Sequence, residues 1–299
     1  MRGPAAEYLI RQRVSALSRA LPAAKAGDAT SLHQARVATR RLRAALPLVA
    51  PGPKASKVTR SVRRLTRLLG PVRELDVALL ILEELEESGE VPQAGIDRLR
   101  ASIIEERERL QTAVRDQIDD FDLDKLRKRA VAAARKHHEG RKPRDAGSTA
   151  AARERVWRRA RRLAAAIENA AGLYLPDRLH EVRIAVKKLR YTLEVGVADA
   201  RRSAPRNTSN LRTLKNAQDL LGRMHDLEVL IARTRSIQSS PGASTLKVSA
   251  DLDRLVRRLE NECRQLHGHY MAARPTLLSV CHRLVAAGKP RERVRSSAA

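Results

Sequence analysis

The sequence predicts an all-α protein built by duplication of one helical unit. Three observations lead there. Hydrophobic residues make up 42% of the chain but aromatics only 2%, so the core must be Leu, Val, Ile and Ala, a composition that suits packed helices better than sheets. Apolar residues recur at three- and four-residue intervals along nearly the whole chain, while strand-like alternation is almost absent. Finally, HQARVATRRLR at 33–43 returns as HEVRIAVKKLR at 180–190, 147 residues later.

Periodicity places helices near 5–20, 31–49, 55–69, 72–88, 94–120 and 122–138. A Gly- and Pro-containing stretch without an apolar run, about 139–149, reads as a linker. Helices then follow near 150–172, 177–200, 208–221, 223–238, 245–272 and 275–287. PGPK at 51–54, SAPRNTS at 203–209 and SSPGAS at 239–244 punctuate them, and a basic tail at 288–299 reads as disordered. The order of helices is similar on both sides of the linker, which predicts a first repeat at about 5–138 and a second at about 150–287 within one domain spanning 1–299. A second correspondence supports the duplication. VRRLTRLLGPVRELDVALLIL at 62–82 aligns with LKNAQDLLGRMHDLEVLIARTR at 214–235, matching Gly70 to Gly222 and Glu74 and Asp76 to Asp226 and Glu228.

On a helical wheel His33, Arg36, Arg40 and Arg43 share one side, within roughly 80° of one another, and Ala35, Ala38, Leu42 and Leu46 share the other. His180, Arg183, Lys187 and Arg190 repeat the polar stripe, and Val182, Ala185, Leu189 and Leu193 the apolar one. Each stripe climbs about 15 Å, with Arg41 and Lys188 on its flank. Like charges at i,i+4 repel by a few tenths of a kcal/mol per pair, and no carboxylate is interleaved in 33–46 to relieve it. A solvated face normally mixes signs, so an unrelieved stripe written twice points to a polyanion. The following helix adds Arg60, Arg63 and Arg67, with Arg64 at the edge; its counterpart is thinner, with Arg212 and Lys215. Guanidinium forks suit phosphate oxygens, and a ladder of them suits repeating phosphate better than one small ligand. Gly70 and Gly222 are expected to end one helix before the next, with Pro71 in a first helical turn. The four acids would then sit in first turns, where they complement the helix dipole, with pairing to nearby arginines as the second reading.

At these residues the chain resembles the CHAD family, the conserved histidine α-helical domain. The matching pieces are HQARVATRRLRAAL, LLGPVRELDVALL, HEVRIAVKKLRYTLE and LKNAQDLLGRMHDLEVL, in a resemblance running over roughly 5–287. It implies two four-helix-bundle-like halves related by a pseudo-twofold axis, with a basic groove or channel between them. It also implies binding of inorganic polyphosphate, association with polyphosphate granules, and no catalysis. The implied binding residues are His33, Arg36, Arg40, Arg41, Arg43, His180, Arg183, Lys187, Lys188 and Arg190, with Arg63, Arg67, Arg73 and Lys215 from the second motif. His225 stands where the family often has Asn. The Glu-x-Glu-x-Lys strand of the triphosphate-tunnel domain often fused to CHAD is not found, which predicts a stand-alone CHAD protein.

The net charge of +26, from 60 Lys and Arg against 34 Asp and Glu, predicts polyanionic partners. It also predicts adventitious nucleic-acid binding in vitro, since counterion release is indifferent to base. A dedicated nucleic-acid binder or a scaffold for acidic proteins are the rival readings. Against the first stand the near absence of stacking aromatics and of helix-turn-helix, zinc-finger or basic-zipper patterns. Cys263, His267, His269, Cys281 and His282 fit no standard zinc spacing. No P-loop is present, and no carboxylate stands at helical spacing to orient His33 or His180 as a base, so neither metal, cofactor nor enzymatic activity is expected. The amphipathic start without a signal-peptide core, and the lack of a long apolar stretch, predict a cytoplasmic protein with no membrane association.

Overall fold

A computed structural model describes residues 3–50, 52–139, 146–170, 172–199, 205–239 and 246–288. These form nine α-helices and no strand: α1 (Gly3–Lys25), α2 (Ala29–Val49), α3 (Pro53–Ser88), α4 (Gln93–Asp119), α5 (Leu123–Glu139), α6 (Ala146–Asn169), α7 (Pro176–Asp199), α8 (Pro205–Gln238) and α9 (Leu246–Gly288). Among the described residues no helix is long and apolar enough to cross a membrane.

The chain divides into two compact units that cut across the sequence repeats. The larger holds residues 2–140 and 219–270, the smaller 141–218 and 271–299. Thus α1 to α5 lie in the larger unit and α6 and α7 in the smaller, while α8 and α9 each contribute a stretch to both. In the larger unit α2 packs against α1 and α3, α4 against α3, and α5 against α1 and α3. Its centre is aliphatic: Ile10, Leu17, Leu32, Leu42, Leu65, Leu75 and Ile81 are fully buried. In the smaller unit α6 packs on α7, and Leu163, Ile167, Val182, Val186, Leu189, Leu214 and Val280 are buried.

Local chemistry fixes the entries to the helices that matter. The Asp28 carboxylate accepts the Ser31 N–H at 2.6 Å and caps α2. Pro53 opens α3, where its missing N–H costs nothing, and Gly89 closes it in the left-handed conformation at φ 65°.

Three sequence expectations need correction: the chain breaks anticipated at Gly70, Gly222 and residues 273–274 do not occur. α3, α8 and α9 run continuously through Gly70–Pro71, Gly222 and Pro275. A mid-helix Pro costs about 3 kcal/mol and a Gly about 1. However, the apolar stripe stays in phase across each break. Leu65, Leu69, Val72, Leu75 and Ala78 are all buried on α3, as are Leu214, Ala217, Leu221, Met224 and Leu227 on α8. Each buried Leu contributes about 2 kcal/mol, so the continuous stripe outweighs the local penalty. The acids move with this correction. Glu74, Asp76, Asp226 and Glu228 lie in helix interiors, where a first-turn dipole role is not available.

Of the anticipated linker, 140–145 lies outside the described residues and α6 already begins at Ala146. The basic tail beyond Gly288 also lies outside them.

Candidate functional site

In the larger unit α2 turns Leu32, Ala35, Ala38, Leu42, Ala45 and Leu46 into the core. All four apolar positions read from the wheel are therefore buried. The opposite face carries His33 and Arg41, which are exposed, and Arg36, Arg40 and Arg43, which are half-buried. On the adjacent α3, Val62, Leu65 and Leu69 are buried while Arg60, Arg63, Arg64 and Arg67 are exposed. Three of these, Arg60, Arg63 and Arg67, form the outward cationic stripe that the sequence led us to expect.

Not every predicted cation points outward. Arg36 turns toward α3, and its Nη1 donates to the Thr66 carbonyl at 3.2 Å. A Cβ at Gly70 would lie 2.9 Å from that same nitrogen. Gly70 is thus a seat for the Arg36 guanidinium inside a continuous helix, not a cap. Arg73 is half-buried, with Nη1 4.0 Å from the buried Asp76 carboxylate.

Asp76 also anchors a residue that the sequence reading missed. Arg107 of α4 donates from Nε to Asp76 at 2.7 Å and from Nη2 to the Gly27 carbonyl at 2.8 Å. This ties α4 to α3 and to the turn between α1 and α2. The second reading of the acids, pairing with arginines, is the one realised at Asp76. At Glu74 it is realised too, with Arg233 of α8 at 3.6 Å. Nothing in the periodicity of α4 could single out Arg107, because its partners come from 31 and 80 residues away.

These groups surround a cleft of about 580 Å3 at the head of the α2 stripe, lined by His33, Arg73, Asp76, Leu80, Ile104 and Arg107 among others. Partial desolvation, followed by the positive charges of Arg73, Arg40 and Arg36, lowers the pKa of His33 below the ordinary histidine value and favours neutral imidazole.

The smaller unit presents the second copy on α7. Val182, Leu189 and Leu193 are buried as read, but the fourth core position is Val186, and Ala185 is half-buried. His180, Arg183 and Lys187 are half-buried and Lys188 is exposed. His180 is also lowered, by burial first and then by Arg183 and Lys187, with Asp177 and Glu181 opposing; Asp177 lies three residues before it on α7, so the expectation that no carboxylate stands at helical spacing from either motif histidine fails for His180. Arg190 departs from the expected outward ladder. Its side chain is 12% exposed, its Nε lies 3.3 Å from Glu194, and its guanidinium stands over the Tyr191 ring at 5.1 Å. The Glu194 carboxylate one turn on, beyond the repeated 180–190 stretch, draws it in. Arg212 and Lys215 are exposed on the first stretch of α8. His225 is half-buried and belongs to the larger unit, so it does not share a compact unit with His180.

A further pair of arginines went unread. Arg13 of α1 donates to the Arg41 carbonyl at 2.5 Å, and Arg159 of α6 donates to the Lys188 carbonyl at 2.6 Å. Arg41 and Lys188 are the same position of the repeated motif, so each motif helix is held by an arginine from the helix before it. Shifting the register by one residue would have revealed this. Val14, Leu17, Leu21 and Ala24 then align with Ala160, Leu163, Ile167 and Ala170, and all eight are buried.

The cysteines are core residues. Cys263 is buried with Sγ 4.0 Å from the Met224 carbonyl, and burial pushes the Cys281 thiol up to about 12. Among the described residues no group of three or more His, Cys, Asp or Glu is arranged to hold a metal.

The sequence profile of the CHAD domain matches residues 8–235. The chain belongs to the CHAD domain family. The CHAD fold extends further: the crystal structure of the CHAD domain from the plant Ricinus communis superposes with a TM-score of 0.68 at 21% identity, covering 94% of this chain and 91% of that one. PptA from Streptomyces chartreusis superposes with a TM-score of 0.56 at 12% identity, covering 96% and 98%. No curated protein matches the sequence.

Proposed function

We propose that this CHAD protein binds inorganic polyphosphate through its two basic motif helices and their neighbours, without catalysing a reaction. The observation that carries the reading is the exposed stripe of Arg60, Arg63 and Arg67 on α3 beside the motif helix α2. It is a row of guanidinium forks on a rigid, fully helical support. Such a row matches a ligand that repeats its phosphate along a line. Family membership supports the same ligand, since polyphosphate binding is what the resemblance to CHAD implies. Both motif histidines are held toward the neutral form, so a phosphate polymer arriving there would gain their protonation as well as the arginine contacts.

The internal repeat supports the finer proposal that both copies serve one polymer, as expected of pseudo-twofold-related halves with a basic groove. Association with polyphosphate granules in the cytoplasm would follow from such binding. The test is competition between long-chain polyphosphate and duplex DNA at matched phosphate concentration as salt is raised. Polyphosphate should persist to the higher salt. DNA outlasting polyphosphate would make this a nucleic-acid binder instead.

A further inference from the structure

A second concentration of positive charge lies in the larger unit, away from every motif discussed above. A cleft of about 700 Å3 is lined by Arg11 of α1, Lys54 at the start of α3, and Arg127, Lys128 and Arg135 of α5, with Val131 between them. No carboxylate lines it. Residues 127, 131 and 135 fall on one face of α5, one turn apart, so the three helices bring their cations to one concave place rather than along an axis.

Two of these arginines are aimed by a shared carboxylate. Arg11 lies 2.6 Å from Glu7 and Arg135 lies 3.4 Å from it. The Glu7 side chain is 21% exposed while those of Arg11 and Arg135 are 56% and 59% exposed. The carboxylate therefore stands behind and the guanidiniums in front. Hydrogen bonds from Arg11 and Arg135 lower the Glu7 pKa and keep it ionised, so the clamp persists into mildly acidic solution. Arg127 has an exposed partner, Asp124, at 3.2 Å. Two guanidiniums fixed by one anion, with three further cations around them, leave a strong local excess of positive charge.

We propose that this cleft is a separate site for a compact, multiply charged phosphate anion, such as a short oligophosphate or the triphosphate of a nucleotide. The convergent lining favours a short ligand over a long chain, because its cations can be satisfied together only by phosphates gathered in one place. Two forks already oriented cost little entropy on binding. No aromatic side chain lines the cleft to stack a base, so the phosphates carry the recognition.

The proposal stands apart from polyphosphate binding at the α2 and α3 stripe, and calorimetry with two variants separates them. One removes cleft charge by Lys54→Gln, Arg127→Gln and Lys128→Gln. The other reverses the stripe by Arg60→Glu, Arg63→Glu and Arg67→Glu. A third protein, Arg98→Gln with Arg109→Gln and Arg115→Gln, removes the same charge as the cleft variant from exposed positions on α4. Inorganic tripolyphosphate should bind the parent most tightly at one site per chain, above any weaker binding along the motif helices, and ATP no more tightly. The cleft variant should lose at least tenfold in tripolyphosphate affinity while long-chain affinity changes less than threefold. The stripe variant should show the opposite pattern. If the α4 control weakens tripolyphosphate as much as the cleft variant does, net charge alone explains the binding and the site is overturned. Tighter binding of ATP than tripolyphosphate would overturn recognition by phosphate alone. Circular dichroism checks the fold of each variant, and the single Lys128→Gln change, expected to cost about threefold, repeats the test with the least perturbation. Loss of long-chain binding in the parent would count against the proposed function and leave the cleft standing.

Discussion

Single side chains decide how the proposed binding face would respond to pH and how firmly it is held. His33 and His180 sit below the ordinary histidine pKa, first through burial and then through cationic neighbours. Polyphosphate bound as proposed would reverse that local field and raise both pKa values. A proton then binds more tightly in the complex than in the free protein, so affinity rises as pH falls through the interval between the bound and free values and levels off below it. Polyphosphate affinity measured from mildly alkaline to mildly acidic pH should show this rise in the parent and lose it in the His33→Gln, His180→Gln double variant. Equal pH slopes in the two proteins would give the histidines a packing role alone. Asp76 is the other decisive residue. It is buried and joins Arg107 to α3. Asp76→Asn keeps its volume but leaves two guanidiniums without their counter-charge, Arg107 on its oxygen and Arg73 nearby. Since Arg107 is 20% exposed, water relieves part of the cost, and a loss of about 2 kcal/mol is expected. Urea denaturation checks it, and a loss below about 0.5 kcal/mol would mean that the pair is a surface-like contact.

At the scale of the helix, the sequence is legible where periodicity speaks and misleading where the propensity of a single residue competes with it. The buried face of α2 is the one the wheel placed there, since each apolar residue repeats at helical spacing. Gly70 and Gly222 look like caps in the sequence because Gly favours the left-handed conformation, yet both lie inside continuous helices. Their local propensity lost to an apolar stripe whose register is visible only when both sides of the Gly are read together. The two glycines should now separate on substitution. Around Gly222 nothing approaches within 4 Å of an added Cβ, so Gly222→Ala should stabilise by up to about 1 kcal/mol. At Gly70 the same gain is offset by displacing Arg36 from the Thr66 carbonyl, so Gly70→Ala should be near neutral. Thermal melting of the two variants reads the difference. A loss of stability in Gly222→Ala would restore the cap. The α3 stripe makes its own prediction. Reversing Arg60, Arg63 and Arg67 would remove three of the proposed phosphate contacts from an exposed face, so helicity should be kept. The slope of log affinity against log salt should flatten by about 2. An unchanged slope would move the polymer elsewhere.

Across the whole molecule, what the sequence makes legible is that two motifs recur in the same order at nearly the same offset. What the sequence could not reveal is how unevenly the copies use their cations. In the first, Arg36 is spent on Thr66; in the second, Arg190 is drawn to Glu194 and Tyr191. Such choices depend on neighbours beyond the motif: a glycine one helix away, or a carboxylate one turn on. Compact units that cut through α8 and α9 are likewise set by contacts and not by sequence order.

The copies nevertheless keep a common mounting, with Arg13 and Arg159 bonded to equivalent carbonyls, and this invites a test of whether they act together. If both copies engage one polymer, the second engagement is intramolecular, and avidity exceeds either copy alone by a factor on the order of 100 or more. That advantage exists only for chains long enough to reach both. Neutralising one copy, by Arg60→Gln with Arg63→Gln and Arg67→Gln, or the other, by Lys187→Gln with Lys188→Gln and Arg212→Gln, should then have an effect that depends on the ligand. Long chains should lose roughly 100-fold in either variant, down to the affinity of the copy that remains. With the cleft already neutralised by Lys54→Gln, Arg127→Gln and Lys128→Gln, chains too short to reach both copies should lose only about twofold, the statistical effect of halving the sites, with each copy acting independently on them. Net charge cannot imitate this pattern, since it weakens short and long chains by amounts that grow smoothly with ligand charge. Titration over a series of defined chain lengths would show a step in the parent that both variants lack. A smooth curve in all three proteins would mean that the two copies bind separately and that the repeat serves folding alone.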